Sequence, residues 1–113
     1  MYKKSGVRGV PKGEEGLIDA QNLGRHIKQA AALADYESGA ALARAMTSVG
    51  CATNYHQMSD WQRGVSVPSL TAFLTIVALT APPGGLKFFA GAWPDLWPDI
   101  ERGLNGHSLR GDK

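Results

Sequence analysis

Apolar residues recur at helical spacing in four successive stretches of the chain, and each set would line one face of a helix. The four sets are Leu23, Ile27, Ala30 and Ala34; Leu42, Ala45, Met46 and Val49; Tyr55, Met58 and Trp61; and Leu70, Phe73, Leu74 and Val77. Residues typical of helix ends lie between them. Asp19 (or Asn22) and Ser38 are suited to N-caps, and Gly50 and Gly64 to C-terminal stops.

The run Pro82-Pro83-Gly84-Gly85 is the clearest interruption, and it predicts the end of the fourth helix. Beyond it, apolar spacing predicts one short helix near residues 86–93 and another near 96–104. We find no alternating strand pattern of useful length. The sequence therefore predicts an all-α, compact bundle of four to six short helices: four before Ala81 and one or two after it.

The first 16 residues have neither a helical nor a strand period, and glycines separate their basic side chains. We expect a flexible basic N-terminal arm over residues 1–16. Its Lys3, Lys4 and Arg8 could contact phosphates of a nucleic acid. The alternative is a terminal segment without a function.

Composition excludes several classes of site. The chain has 113 residues, a net charge of +2, a single cysteine and three separated histidines, so neither an internal disulfide nor a structural zinc site is expected. No apolar run approaches the length of a membrane span, the N-terminus does not resemble a signal peptide, and we expect a cytoplasmic protein. No nucleotide-binding loop or catalytic group of side chains is evident around His56 or Cys51, so we expect no enzyme, cofactor or metal.

The stretch 58–70, MSDWQRGVSVPSL, carries the most specific pattern. It resembles the end of the recognition helix and the start of the next helix in Cro/repressor-like (lambda-repressor-like, xenobiotic-response-element) helix-turn-helix domains. The matching residues are Met58, Ser59, Trp61, Gln62, Arg63, Gly64, Pro68, Ser69 and Leu70, with Leu42, Ala43 and Gly50 upstream. The resemblance covers about residues 23–81.

This resemblance implies a helix-turn-helix domain over residues 17–81, preceded by the arm and followed by a C-terminal extension over 82–113. It implies a sequence-specific DNA-binding transcriptional regulator, of phage or mobile-element type and acting as a repressor-like homodimer, with a recognition helix near residues 54–63. The candidate DNA-contacting side chains are Asn54, Tyr55, His56, Gln57, Asp60, Gln62 and Arg63, together with the three basic residues of the arm. Gln57 is the preferred base contact because a side-chain amide pairs twice with adenine.

Two departures from the family pattern keep an alternative open. The connection over residues 47–53 is about four residues longer than usual, so either the preceding helix runs on to Val49 or the loop bulges. Asp60 also brings negative charge toward the expected DNA surface. The alternative is a protein-interaction module, of antitoxin or inhibitor type, on a helix-turn-helix scaffold that does not bind DNA.

Four aromatic residues of the extension lie within ten positions: Phe88, Phe89, Trp93 and Trp97. We expect them to form the contact between two copies of the chain, since exposed apolar patches mark interfaces. The alternative is that they cover the core of their own chain.

Overall fold

The computed structural model describes residues 7–105 of the chain, so Lys3 and Lys4 lie outside the described residues. It contains α1 (Ala20–Leu33), α2 (Gly39–Ser48), α3 (Tyr55–Arg63), α4 (Leu70–Thr80), a 3-10 helix (Gly85–Ala92) and α5 (Trp97–Asn105). The predicted all-α fold is confirmed, with four helices before Ala81 and two after it. Within residues 7–105, no helix is both long enough and apolar enough to cross a bilayer.

Side-chain caps fix where the helices begin. Asp19, Ser38 and Ser69 each accept a hydrogen bond from the backbone N–H three residues later, at 3.0 to 3.1 Å. Gly64 ends α3 with φ of +78°, a left-handed conformation that glycine adopts without steric cost. The predictions for Asp19, Ser38 and Gly64 are confirmed, and Pro68 lies one residue before the N-cap of α4.

The centre of the bundle is α1, which packs most extensively on α3. The two backbones approach so closely that a Cβ built on Gly24 would lie 2.4 Å from the carbonyl oxygen of Trp61. Only glycine fits at that crossing. Met58 and Trp61 project from α3 into the core and are 0% and 7% exposed. Of the three residues predicted to share one face of this helix, Met58 and Trp61 therefore lie in the core, whereas Tyr55 is 57% exposed.

The orientation of α4 differs from the predicted one. Phe73 is buried as expected, but Leu70 and Leu74 are exposed, and the buried side chain one turn further along is Ile76. Since α4 is apolar on nearly every side, its own pattern does not select an inward face. The choice is made by neighbouring residues, because the Phe73 ring packs edge-on against other aromatic rings.

Those rings belong to the C-terminal extension. The centroids of Phe89 and Trp93 lie 5.1 and 5.5 Å from that of Phe73, and Phe88 packs edge-on against Phe89 and His26. Phe89 is 0% exposed, so the expectation that it contacts a second copy is wrong. The ring instead closes the core of its own chain, which is the alternative drawn from the sequence.

The predicted arm also needs correction in its described part. Arg8 donates its backbone N–H to the carbonyl of Val65 at 3.0 Å and accepts from the N–H of Val67 at 2.8 Å, in an isolated parallel β-bridge. Val7 and Val10 pack against the core. Residues 7–10 are therefore bound to the bundle, because their backbone and their valines both find partners there.

Candidate nucleic-acid interface

The connection between α2 and α3 spans residues 49–54. The helix α2 ends at Ser48, with Val49 as its C-cap, one residue short of the end that the extended-helix alternative gave it. Gly50 follows with φ of +102°. The Thr47 hydroxyl accepts a hydrogen bond from the backbone N–H of Thr53 at 3.0 Å, which ties the last turn of α2 to the residue just before the N-cap of α3.

The N-terminal end of α3 presents a row of exposed polar side chains. All four residues of this row are exposed: Asn54, Tyr55, His56 and Gln57. Tyr55 is 57% exposed. The rings of Tyr55 and His56 are 6.1 Å apart. Since Met58 and the rest of the inward face are fixed in the core, this row has a defined direction away from it. Four of the predicted contact residues therefore share one surface.

Two members of this row have a structural task that the sequence reasoning missed. The Asn54 side chain accepts from the backbone N–H of Gln57 at 2.8 Å, and the Gln57 side chain accepts from the backbone N–H of Asn54 at 3.1 Å. This reciprocal pair is a capping box. It uses the two side-chain carbonyl oxygens, and the two amide nitrogens remain as donors. The spacing Asn-x-x-Gln before an apolar residue was the available signal.

The C-terminal end of α3 carries a three-residue ion-pair cluster, Arg8–Asp60–Arg63. One carboxylate oxygen of Asp60 lies 2.6 Å from Nη2 of Arg8, and the other lies 2.6 Å from Nη2 of Arg63. The side chain of Asp60 is 24% exposed, while those of the arginines are 66% and 62% exposed. The carboxylate thus lies beneath two guanidinium groups that reach solvent.

This cluster changes the charge argument made from the sequence. The negative charge of Asp60 is shared between two positive partners, so the group has a net charge of +1 at neutral pH. Exposed ion pairs contribute about 0–1 kcal/mol each to folding, so the main consequence is the direction in which the guanidinium groups are held. Arg63 also lies at the helix C-terminus, where a cation is favoured by the helix dipole.

Gln62 does not belong to the exposed face. A Cβ built on Gly39 would lie 3.2 Å from Oε1 of Gln62, so its side chain reaches toward the start of α2. Gln62 follows Met58 by four residues, and helical periodicity places these two on the same side of α3. The contact of Gln62 with DNA stays a prediction, but its half-buried side chain lies toward Gly39 and apart from the exposed row of residues 54–57.

Comparison with protein-family models, with curated proteins and with solved structures yields no match to this chain. Among residues 7–105, no group of three or more His, Cys, Asp or Glu side chains is arranged to hold a metal ion. The geometry of α3 and its surroundings is therefore the main guide to what this chain binds.

Proposed function

We propose that this chain is a sequence-specific DNA-binding transcriptional regulator of the helix-turn-helix type, with α3 as its recognition helix. The observation that carries the proposal is the exposed polar row from Asn54 to Gln57. It lies at the N-terminus of a helix whose opposite side is locked to α1 through Trp61 and Gly24. A rigidly held helix with a polar N-terminal end is what major-groove reading requires.

The dimensions of α3 agree with this role. An α-helix is about 10–12 Å in diameter and so fits the major groove, which is about 12 Å wide, and the nine residues of α3 at about 1.5 Å each extend roughly 13 Å along their axis. With the N-terminal end in the groove, the C-terminal end would come near the phosphates at its edge. The exposed guanidinium groups of Arg8 and Arg63 are located there, and guanidinium binds phosphate with paired hydrogen bonds.

Each candidate residue then has a distinct part in binding. Gln57 would read a base, because its amide nitrogen is a donor and its carbonyl oxygen has a second lone pair for adenine. Tyr55 and His56 would reach phosphate or base edges. Lys3 and Lys4 remain expected phosphate contacts. We further expect the regulator to act in the cytoplasm as a repressor-like homodimer on a phage or mobile-element operator.

The test starts by selecting binding sites for the full chain from random duplexes at low salt. Gln57→Ala should weaken binding to the selected site by about 5- to 150-fold, equivalent to 1–3 kcal/mol, and leave binding to random DNA nearly unchanged. A gel-shift titration on both duplexes measures the two affinities. Equal loss on both duplexes would mean that Gln57 does not read bases. If the selection yields no bound duplex, the proposal is overturned.

Because Gln57 also belongs to the capping box, a second substitution separates reading from folding. Gln57→Glu keeps an acceptor for the N–H of Asn54 but removes the amide donor and adds negative charge. We expect an unchanged melting temperature with at least tenfold weaker binding to the selected site. Gln29→Glu, on the exposed side of α1, makes the same charge change elsewhere and should alter binding about twofold or less.

The protein-interaction alternative is favoured by one observation: both arginines near α3 are paired with Asp60, so the positive charge available to DNA is small. Under this alternative, a pulldown from cells would recover a stoichiometric protein partner with no nucleic acid. If the Gln57 variants lose that partner but keep their affinity for DNA, the result would favour the protein-interaction module over the DNA-binding regulator.

A further inference from the structure

Asp60 is the one acidic residue in the sequence of α3, and it lies between two arginines near the C-terminal end of that helix. By charge alone, an acid in this place would repel the phosphates of a nucleic acid. Its contacts indicate a different effect, because each of its two carboxylate oxygens contacts a different guanidinium group, Arg8 on one side and Arg63 on the other.

We propose that Asp60 is a positioning residue for DNA: it holds the guanidinium groups of Arg8 and Arg63 side by side, so that both bind phosphates of one strand. The inference rests on the proposed function and adds to it a role for an acidic residue. Because both Nη2 atoms lie 2.6 Å from oxygens of the same carboxylate, they are no more than about 8 Å apart. The two groups can therefore reach the same short stretch of phosphate backbone.

Arg8 is held at its backbone as well as at its side chain. The carbonyl of Asp60 accepts the N–H of Val65 at 3.0 Å, which closes the end of α3. The carbonyl of Val65 in turn accepts the N–H of Arg8 at 3.0 Å, and the carbonyl of Arg8 accepts the N–H of Val67 at 2.8 Å. The backbone thus fixes where the side chain of Arg8 begins, and the carboxylate of Asp60 fixes the direction in which it extends.

The two ion pairs leave hydrogen-bond donors for a phosphate. A guanidinium group has five N–H donors in one plane, and the contacts with Asp60 are made by Nη2 of each arginine. The carboxylate is also the least exposed member of the cluster, so it lies behind the guanidinium groups as seen from solvent. A phosphate that approaches from solvent therefore meets the arginines first and can form paired hydrogen bonds with them.

Two opposing effects decide whether Asp60 raises or lowers the affinity for DNA. Fixing one long side chain in advance raises affinity by about two- to tenfold, because that side chain no longer has to be ordered on binding, and Asp60 fixes two of them. A unit charge 4 Å from a phosphate changes affinity by about fivefold in water, and a carboxylate behind two arginines acts from further away. We therefore expect Asp60 to raise the affinity by about three- to tenfold.

The first experiment measures binding of the full chain to a random duplex of roughly 20 base pairs, because phosphate contacts carry no base sequence information. Asp60→Asn removes the charge but keeps the backbone hydrogen bonds of the residue. It should weaken binding by about three- to tenfold and reduce the salt slope by about one. Asp35→Asn, in the loop after α1, makes the same charge change at a positive φ that suits Asn equally, and its affinity should stay within about twofold of the parent.

A double-mutant cycle separates positioning from a general effect on the fold. In a chain that carries Arg8→Gln and Arg63→Gln, the carboxylate of Asp60 has neither guanidinium group to hold. Adding Asp60→Asn to that chain should therefore cause no further loss of affinity. Equal weakening by Asp60→Asn with and without the arginines would mean that the residue acts through the fold of α3, and it would overturn the proposal.

The third measurement needs no DNA and separates this proposal from that of the regulator. NMR relaxation of the Nε–Hε groups of Arg8 and Arg63 reports how well each side chain is ordered in the free chain. Both order parameters should lie above about 0.6 in the parent and fall below that value in Asp60→Asn. Unchanged order parameters, or tighter binding of Asp60→Asn to the random duplex, would overturn the positioning role and leave the regulator proposal standing. A parent chain that binds no duplex would overturn both.

Discussion

The helices α3 and α4 are similar in length and both begin at a side-chain N-cap, but their sequences determine their orientation to different degrees. In α3, polar residues surround Met58 and Trp61, so a single rotation of the helix buries the apolar pair. In α4, every residue is aliphatic, aromatic or threonine, and several rotations would bury similar apolar area. The contrast between polar and apolar positions, more than apolar content, fixes how a helix faces its core.

The same difference determines what each helix leaves at the surface. Once α3 is fixed, its outer side is polar, with Gln57 and its neighbours at one end and two arginines at the other. Once α4 is fixed by Phe73, its outer side is still apolar, as Leu70 and Leu74 show. The two surfaces therefore differ in chemistry: the one on α3 is polar and partly cationic, and the one on α4 is uncharged and apolar.

A large effect is expected at Gly24, which allows α1 to contact the backbone of α3. In Gly24→Ala the new methyl group would meet the carbonyl oxygens of Trp61 and Gln62 at 2.4 and 2.6 Å, and backbone atoms cannot move aside as a side chain can. We expect a loss of about 3 kcal/mol after subtracting the gain of ~1 kcal/mol in helix propensity. Thermal unfolding should show a fall in melting temperature of roughly 10–20 °C.

The matched control for this substitution is Gly16→Ala. A Cβ at Gly16 would have no atom within 4 Å, and the residue has no positive φ. The free energy of unfolding of Gly16→Ala should differ from that of the parent chain by no more than about 0.5 kcal/mol, the range typical of surface changes. If Gly24→Ala proves as stable as this control, α1 and α3 do not cross at that point, and the direction assigned to the exposed end of α3 is wrong.

The next effect compares the two sides of α4. Ile76→Ala should lower the free energy of unfolding by about 2–5 kcal/mol, because Ile76 is 0% exposed and its removal leaves a cavity. Leu74→Ala should lower it by less than about 1 kcal/mol, since Leu74 is 47% exposed. Urea unfolding at low protein concentration measures both values. Equal losses would mean that α4 is rotated toward the face first predicted from the sequence.

Local signals accounted for much of the fold. Caps such as Asp19 and Ser38 act through the next three residues, and the Pro82-to-Gly85 interruption acts through the backbone itself, so both can be recognised without a structure. The buried position of Trp61 follows from the polar residues around it. The capping box of Asn54 and Gln57 belongs with these signals, because its two partners are three residues apart.

Contacts between residues far apart in the sequence could not be predicted from local signals. Arg8 and Asp60 are 52 residues apart, and nothing in either local sequence indicates that residues 7–10 pair with the loop after α3. The interior position of Phe89 depends likewise on Phe73, sixteen residues earlier. The sequence shows that aromatic residues lie close together, but it does not show which way their side chains point. The packing of the folded chain decides whether they fill the core or lie at the surface.

The most direct test of the regulator proposal is amide chemical-shift mapping of the full chain with its selected duplex. The proposal predicts that the largest shift changes fall at residues 54–57, with smaller ones at Arg8 and Arg63. The changes at residues 54–57 should be lost in Gln57→Glu and kept in Gln29→Glu. Shifts confined to the C-terminal extension, or equal responses to selected and random duplexes at α3, would contradict the assignment of α3 as the recognition helix.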